Sequence, residues 1–172
     1  RSTPRYSSAA SDVYKRQDVF GLESAEMMIG LGVDGLKIHA ADVGNDRLLQ
    51  RVASTGKPIL LSAGGSTWIE TAEAIGVLKN HGAQTIILMH GVQNYPTELT
   101  DTFLRRIHDL RSRFSLPVGF APHPDGGDPL ALEIPLWAAA AGAEVLEIHL
   151  TLDRSRKGLD YYSSLNPDDF ST

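Results

Sequence analysis

The chain alternates short runs of aliphatic and β-branched residues with longer stretches in which apolar residues recur at helical spacing. The short runs predict five strands, at 36–40, 58–63, 85–90, 117–120 and 144–150. The longer stretches predict helices at 22–31, 45–54, 67–81, 98–114 and 128–141, with a further helix starting at Asn166. Strands separated by helices imply right-handed βαβ units and therefore a parallel sheet.

The interiors of the predicted strands are apolar almost throughout, which is typical of a parallel sheet covered on both faces. A doubly wound sheet and a segment of a (β/α)8 barrel fit this pattern equally well. The glycine pair Gly64-Gly65 is a weak phosphate-binding signal, since Gly-x-Gly-x-x-Gly follows none of the predicted strands. A complete barrel typically needs about 250 residues, so the 172 residues present predict at most a partial one.

The first 17 residues are expected to be foreign to the fold. Residues 7–17, SSAASDVYKRQ, resemble an in-frame translation of a transposase-type sequencing-library adapter, and residues 1–3 fit the outer part of that adapter. We therefore expect residues 1–17 to be a non-native segment that packs against nothing. Residues 18–172 then form one domain whose natural N-terminus lies elsewhere.

Composition and charge narrow the expected partners. The net charge is −5 over the whole sequence, and 12 basic against 20 acidic residues remain after residue 17. An acidic chain without basic runs argues against nucleic acid and anionic membranes. The absence of cysteine excludes disulfide and thiolate chemistry, and no apolar run approaches the ~20 residues of a membrane span. The default location is the cytoplasm, with small molecules as partners.

Two of the predicted strands lead to a histidine, His123 and His149. The C-terminal ends of parallel barrel strands meet at one rim, and active sites are built there. Neutral imidazole is a good ligand for divalent Zn, Fe, Mn or Co, so neighbouring strands could present both rings to one ion. The alternative is that each histidine is simply a polar residue of the rim.

Other polar side chains accumulate near the strand ends. Lys37 lies inside an apolar strand, where a buried ammonium needs an anionic partner, unless the lysine only extends its head group to the surface. Ser62 precedes Ala-Gly-Gly and could offer its hydroxyl and backbone N–H groups to phosphate oxygens, or it could simply end a strand. The remaining polar residues at these ends are His39, Asp42, His90, Gln93, Asn94, Tyr95, Asp125, Glu147, Thr151 and Asp160.

A set of sequence blocks, in order and at matching spacing across residues 18–172, resembles the sialic acid (N-acetylneuraminate) synthase family. The blocks are Leu36-Lys-Ile, Lys57-Pro-Ile-Leu-Leu-Ser-Ala-Gly, Leu88-Met-His, Asn94-Tyr-Pro-Thr97, Pro117-Val-Gly-Phe, Glu147-Ile-His-Leu-Thr-Leu-Asp-Arg154, and Gly158-Leu-Asp160 followed by Ser163-Ser-Leu-Asn-Pro167. The resemblance implies an α/β fold, a partial TIM (β/α)8 barrel holding strands four to eight. It also implies condensation of phosphoenolpyruvate (PEP) with an N-acetylmannosamine-like sugar, assisted by a divalent metal such as Mn²⁺ or Mg²⁺, in a homodimeric enzyme.

The resemblance further implies roles for single residues, with Lys37 and the two histidines as the catalytic set. The matched positions are the metal ligands His123 and His149, the PEP contacts Lys37, Ser62 and Gln93, and the sugar contacts Asp42, Tyr95 and Asp160.

Several positions depart from the family pattern. Hydroxyl groups expected near PEP are lost at Ala40 and Ala121, while Gly91-Val92 stands in place of Cys-Thr and Tyr161 in place of a histidine. The histidine pair is kept while much of the anion-binding shell is changed. This combination indicates a divergent branch with an altered substrate or weakened activity.

Three functions therefore stay open. The first is a PEP-condensing synthase of nonulosonic acids, and the second is a non-catalytic relative that binds a sugar or metal. The third is a metal-dependent barrel lyase acting on another oxo-acid. For residues 18–172 alone we expect an open sheet of five strands, with exposed edges at the strands of Lys37 and His149, and no catalysis.

Overall fold

The computed structural model of the chain describes residues 15–170, which form a sheet of six parallel strands with helices between them. The strands are β1 (Arg16–Val19), β2 (Gly35–Ile38), β3 (Ile59–Ser62), β4 (Ile86–His90), β5 (Val118–Phe120) and β6 (Val145–Leu146). The helices are α1 (Leu22–Gly30), α2 (Asp46–Ala53), α3 (Trp68–Asn80), α4 (Arg105–Phe114), α5 (Leu130–Ala140) and α6 (Pro167–Phe170). The strands pair in sequence order, as they do in a (β/α)8 barrel.

Local sequence signals set several of these boundaries. Thr67 begins α3 with a capping box, in which its hydroxyl accepts the Glu70 N–H at 3.2 Å and the Glu70 carboxylate accepts the Thr67 N–H at 2.7 Å. Asn45 caps α2 by accepting the Leu48 N–H at 3.3 Å. The five strands predicted from the apolar runs are all confirmed.

The expectation that residues 1–17 pack against nothing is wrong for the part of that segment which the structure describes. Arg16 and Gln17 belong to β1 and pair with Gly35 and Leu36 of β2. Strand pairing uses backbone N–H and C=O groups, so a run of polar side chains can still join a sheet. The strand that carries Lys37 is therefore internal, and β1 rather than β2 forms the edge. The first 14 residues lie outside the described range.

Two other boundaries differ from the prediction. The helix expected from residue 98 begins only at Arg105, because Phe103 has a φ of 44° and a left-handed residue cannot continue a right-handed helix. A short 3-10 turn, Leu99–Asp101, precedes that break. The last strand is also shorter than predicted, with Val145–Leu146 in the regular ladder and the Glu147 N–H bonded to the Phe120 carbonyl at 2.9 Å.

The sheet curls as a barrel does. The ammonium of Lys37 on β2 lies 2.6 Å from the carboxylate of Glu147, just beyond β6. Four strand spacings in a flat sheet would separate these backbones by about 19 Å, more than two side chains can bridge. The contact therefore requires the sheet to close toward itself, which distinguishes a partial barrel from a doubly wound sheet.

The two faces of the sheet have different surroundings. Leu36, Leu61 and Leu88 point toward the helices and belong to the main core, which is fully buried. Leu60 and Met89 point to the concave side, where a small second cluster fills the barrel interior. Among the described residues, no helix is both long enough and apolar enough to cross a membrane.

The backbones of three loops approach closely where β3, β4 and β5 end. A Cβ atom at Gly64 would lie 1.7 Å from the Gly91 carbonyl oxygen, and one at Gly91 would lie 2.3 Å from the Ala121 carbonyl oxygen. Only glycine fits either position without movement of the neighbouring backbone. Gly64 thus has a structural reason to be glycine, and Gly91 makes a tight approach that the family's usual cysteine could not make here.

We predict that Gly91→Ala lowers the free energy of unfolding by about 1–3 kcal/mol, because the added methyl group must displace the backbone at Ala121. Gly76→Ala is the matched control, since a Cβ at this helical position meets nothing within 4 Å and should be neutral or stabilising by up to about 1 kcal/mol. Urea denaturation of both variants checks the prediction. An unchanged stability of Gly91→Ala would mean that the loops separate at little cost.

We also predict that Lys37→Met lowers the free energy of unfolding by about 2 kcal/mol near pH 7.5. The ammonium of Lys37 pairs with the carboxylates of Glu147 and Asp18, and the substitution leaves both without a cation. The deficit relative to the parent chain should shrink at pH 4.5, because burial raises the pKa of Asp18 and this carboxyl group takes up a proton as the pH falls. Arg51→Met, which breaks a more exposed pair with Glu26, is the control and should cost clearly less than Lys37→Met, because solvent screens an exposed pair. Equal losses in the two variants would contradict a special role for the interior pair.

Candidate functional site

The two histidines predicted as a pair lie side by side beyond the ends of β5 and β6. The ring centroids of His123 and His149 are 5.0 Å apart and the ring planes make an angle of 70°. Successive residues of a strand point to opposite faces, so His123 shares the concave side with Ala121, and His149 shares it with Val145. The curled sheet thus brings both imidazoles to the rim of the barrel interior.

His123 is held in place through both its backbone and its ring. Its carbonyl oxygen accepts the Thr97 N–H at 2.6 Å and the Ser163 hydroxyl at 3.0 Å. Its ring Nδ1 lies 3.0 Å from the Val92 carbonyl oxygen. A carbonyl only accepts, so Nδ1 carries the hydrogen and Nε2 presents its lone pair.

Burial keeps the His123 ring neutral near pH 7. The side chain is buried, and this lowers the pKa of His123 to about 4, with the neighbouring His149 adding to the shift. A neutral imidazole with one nitrogen fixed by a backbone carbonyl is the form in which histidine binds metal ions in proteins.

Tyr95 covers the free nitrogen of His123. Its hydroxyl lies 3.3 Å from His123 Nε2 and 3.1 Å from Gln93 Oε1, and its ring centroid is 4.5 Å from that of His123. Burial raises the pKa of Tyr95, and the negative charge of Asp160 adds to the rise. The sequence-predicted residues Gln93, Tyr95, Asp160 and His123 are therefore neighbours in the fold.

Lys37 lies deeper in the same interior and is paired with two carboxylates. Its ammonium is 2.6 Å from Glu147 Oε1 and 3.3 Å from Asp18 Oδ2. Burial alone would lower the pKa of Lys37, but Glu147 and Asp18 outweigh burial and hold it above its usual value. Burial raises the pKa of Asp18 despite the attraction of Lys37, and Glu147 adds to the rise. The three side chains line a cavity of about 320 Å³.

The two remaining residues that the sequence predicts for the site are Ser62 and Asp42. Ser62 is buried at the end of β3 on the concave side, two residues nearer the rim than Leu60, which pairs with Lys37. Asp42 lies in the short 3-10 turn after β2, where its carboxylate accepts the Asn45 side-chain amide at 3.0 Å. The roles assigned to both residues stay predictions.

Two participants in this site were not assigned a role from the sequence. Glu147 was recognised only as a polar residue near a strand end, although its alternation with Val145 and His149 would have placed it on the concave face. Asp18 has no predicted role, because residues 1–17 are excluded from the predicted fold and the run Arg16–Val19 lacks the apolar pattern of a strand. Neither partner of Lys37 could be chosen without knowing how far the sheet curls.

The donor set fits a metal ion in part. Between residues 15 and 170, no group of three or more His, Cys, Asp or Glu side chains is arranged to hold one. The two imidazoles would therefore supply only part of a coordination sphere, as catalytic sites with open positions do.

Comparison with known proteins finds relatives that match most of this chain. An uncharacterised protein of Methanocaldococcus jannaschii is 38% identical over 149 residues, covering 87% of this chain and 43% of the relative. The N,N'-diacetyllegionaminic acid synthase of Campylobacter jejuni is 36% identical over 152 residues, covering 87% of this chain and 44% of that enzyme. The chain thus spans less than half the length of these relatives.

Solved structures agree with the partial barrel. The N-acetylneuraminic acid (sialic acid) synthetase of Leptospira borgpetersenii, in complex with citrate, is 34% identical with a TM-score of 0.82, covering 90% of this chain and 52% of that one. A phospho-2-dehydro-3-deoxyheptonate aldolase of Thermotoga maritima, 23% identical with a TM-score of 0.79 and covering 92% of this chain and 48% of that one, shares the fold.

These relatives confirm the resemblance to sialic acid synthases. The family match begins inside residues 1–17, and the adapter-like origin of that segment stays a prediction. Because the match extends over residues 11–172, the chain belongs to the NeuB family.

Proposed function

We propose that the intact protein is a nonulosonic acid synthase that condenses PEP with an N-acetylmannosamine-like sugar and releases phosphate. In this reaction C3 of PEP forms a bond to the aldehyde carbon of the sugar. Water adds at C2 of the PEP unit, the C2–O bond to phosphate breaks, and inorganic phosphate leaves. The names of the Campylobacter and Leptospira relatives support this class of product.

The pairing of His123 with His149 is the observation that carries the proposal. Two imidazoles whose ring centroids lie 5.0 Å apart at the rim of a barrel interior suit a divalent transition-metal ion such as Mn²⁺. When bound there, such an ion would act as a Lewis acid on the sugar aldehyde. Val92 holds the His123 ring in the tautomer that this role needs.

The sugar would lie against the residues around Tyr95. Its hydroxyl, the side-chain amide of Gln93 and the carboxylate of Asp160 together offer both donors and acceptors to sugar hydroxyl groups. Asp42 is assigned to the sugar by resemblance alone, and Gln93 could equally contact PEP.

PEP would have to compete with the carboxylates of Glu147 and Asp18 for the ammonium of Lys37. The ammonium already faces two carboxylates, so the local charge of this group is about −1 rather than +1 when all three are ionised. Binding of a substrate carboxylate or phosphate would require Lys37 to exchange Glu147 or Asp18 for it. The metal ion and Ser62 would then complete the anion site.

The two ion pairs of Lys37 also favour a second function, that of a relative which binds a sugar or metal without condensation. The loss of hydroxyl groups at Ala40 and Ala121 removes donors from the PEP side, while the ion pairs of Lys37 reduce its attraction for a trianion. A relative of this kind would keep the histidine pair and the Tyr95 region.

We predict that the intact protein, with Mn²⁺ and an N-acetylated amino sugar, releases inorganic phosphate from PEP in a one-to-one ratio with a new keto acid. His149→Ala should reduce the rate more than 100-fold, because one of the two metal-binding rings is lost. His108→Ala, an exposed histidine on α4, is the matched control and should leave the rate unchanged. Phosphate assay and mass spectrometry of the product are the measurements.

Sugar or Mn²⁺ binding without phosphate release, across several amino sugars, would support the non-catalytic relative instead. Equal rates for His149→Ala and the parent would rule out the histidine pair as the reaction centre.

A further inference from the structure

The hydroxyl of Tyr95 lies between two acceptors. It is 3.1 Å from Gln93 Oε1 and 3.3 Å from His123 Nε2. A phenol has one hydrogen to donate, so it can make only one of these bonds at full strength. His123 Nδ1 is bonded to the Val92 carbonyl, so Nε2 is the nitrogen that would accept either this hydrogen or a metal ion.

The position of Tyr95 is set by the backbone rather than by its hydroxyl alone. The Thr97 N–H donates to the His123 carbonyl at 2.6 Å, which fastens the segment after Tyr95 to the strand end that carries the histidine. The Thr97 hydroxyl donates to the Asn94 carbonyl at 2.7 Å and closes the turn from the other side. These backbone and side-chain contacts therefore place the Tyr95 hydroxyl next to Nε2 of His123.

We propose that Tyr95 competes with the divalent ion for His123 Nε2, and that Gln93 tunes this competition by accepting the Tyr95 hydroxyl when the ion binds. The inference rests on the two-histidine metal site of the proposed function. Tyr95 is in this respect a positioning residue, because it acts through His123. Gln93 acts through Tyr95, and the pair sets how tightly the site holds its ion.

Binding of Mn²⁺ to the 172-residue chain tests this proposal without any enzyme assay. Tyr95→Phe keeps the ring against His123 and removes only the competing hydroxyl, so the affinity for Mn²⁺ should rise about fivefold, the effect of losing one ordinary hydrogen bond. Gln93→Leu should lower the affinity about twofold, because the displaced hydroxyl loses its second acceptor within the protein.

The combination of the two substitutions provides the sharpest comparison. In the Tyr95→Phe background, Gln93→Leu should have no effect on Mn²⁺ affinity, because no hydroxyl remains for Gln93 to accept. Tyr162→Phe is the matched control, since it removes an exposed phenol on a different segment and should leave the affinity unchanged. Electron paramagnetic resonance of free Mn²⁺ gives the affinities, and thermal unfolding checks that each variant is folded.

The outcomes separate this proposal from the metal site itself. If His123→Ala binds Mn²⁺ as the parent does, or if the parent binds none up to millimolar concentration, the two-histidine site fails and this proposal fails with it. If His123→Ala abolishes binding but Tyr95→Phe does not raise the affinity, the metal site stands and the competition is wrong. Additive effects of the two substitutions would likewise contradict the assigned role of Gln93.

Should Tyr95→Phe unfold more easily than the parent, ¹⁵N NMR of the histidine rings without metal provides a second measurement. Nε2 of His123 should show an accepted hydrogen bond in the parent and lose it in the variant. An unchanged Nε2 signal would overturn the proposal.

Discussion

Each strand of the parallel sheet sends alternate side chains to opposite faces, and the two faces meet very different surroundings. The convex face packs leucine, isoleucine and valine against the helices. The concave face closes on itself, with Leu60 and Met89 forming an apolar layer and charged side chains beside it. Lys37, Asp18 and Glu147 meet on the concave face, and they can do so because the sheet curls far enough for Lys37 to reach Glu147.

Much of the fold could be predicted because its signals are local. Apolar runs identify β2 to β6, and the Thr67–Glu70 capping box fixes the start of α3. The failures occur where backbone geometry or pairing overrides side-chain pattern. The strand β1 is mostly polar and forms because a neighbouring strand offers N–H and C=O groups. The helix α4 starts late because Phe103 adopts a left-handed conformation, which phenylalanine gives no reason to expect.

The part of the candidate site that lies at the ends of strands could be predicted from the sequence. His123 and His149 could be paired from their positions in two successive strands, and the structure brings them together. The partners of Lys37 could not be predicted, because Glu147 is 110 residues away in sequence and Asp18 lies in a strand without an apolar pattern. The tautomer of His123 depends on the Val92 carbonyl, which belongs to a different loop, next to the close backbone approach at Gly91.

The changes from the family pattern act on two separate parts of the interior. At Gly91 the absence of a side chain lets two loops approach, and the adjacent Val92 carbonyl accepts the Nδ1 hydrogen of His123, which leaves the lone pair on Nε2. Ala40 and Ala121 carry no hydroxyl group, and Lys37 is already balanced by two carboxylates. The backbone is therefore tight around His123, while Lys37 with its two carboxylate partners carries no net positive charge when all three groups are ionised. If the intact protein is the synthase proposed above, these features should weaken its affinity for PEP before they weaken its contacts with the ion and the sugar.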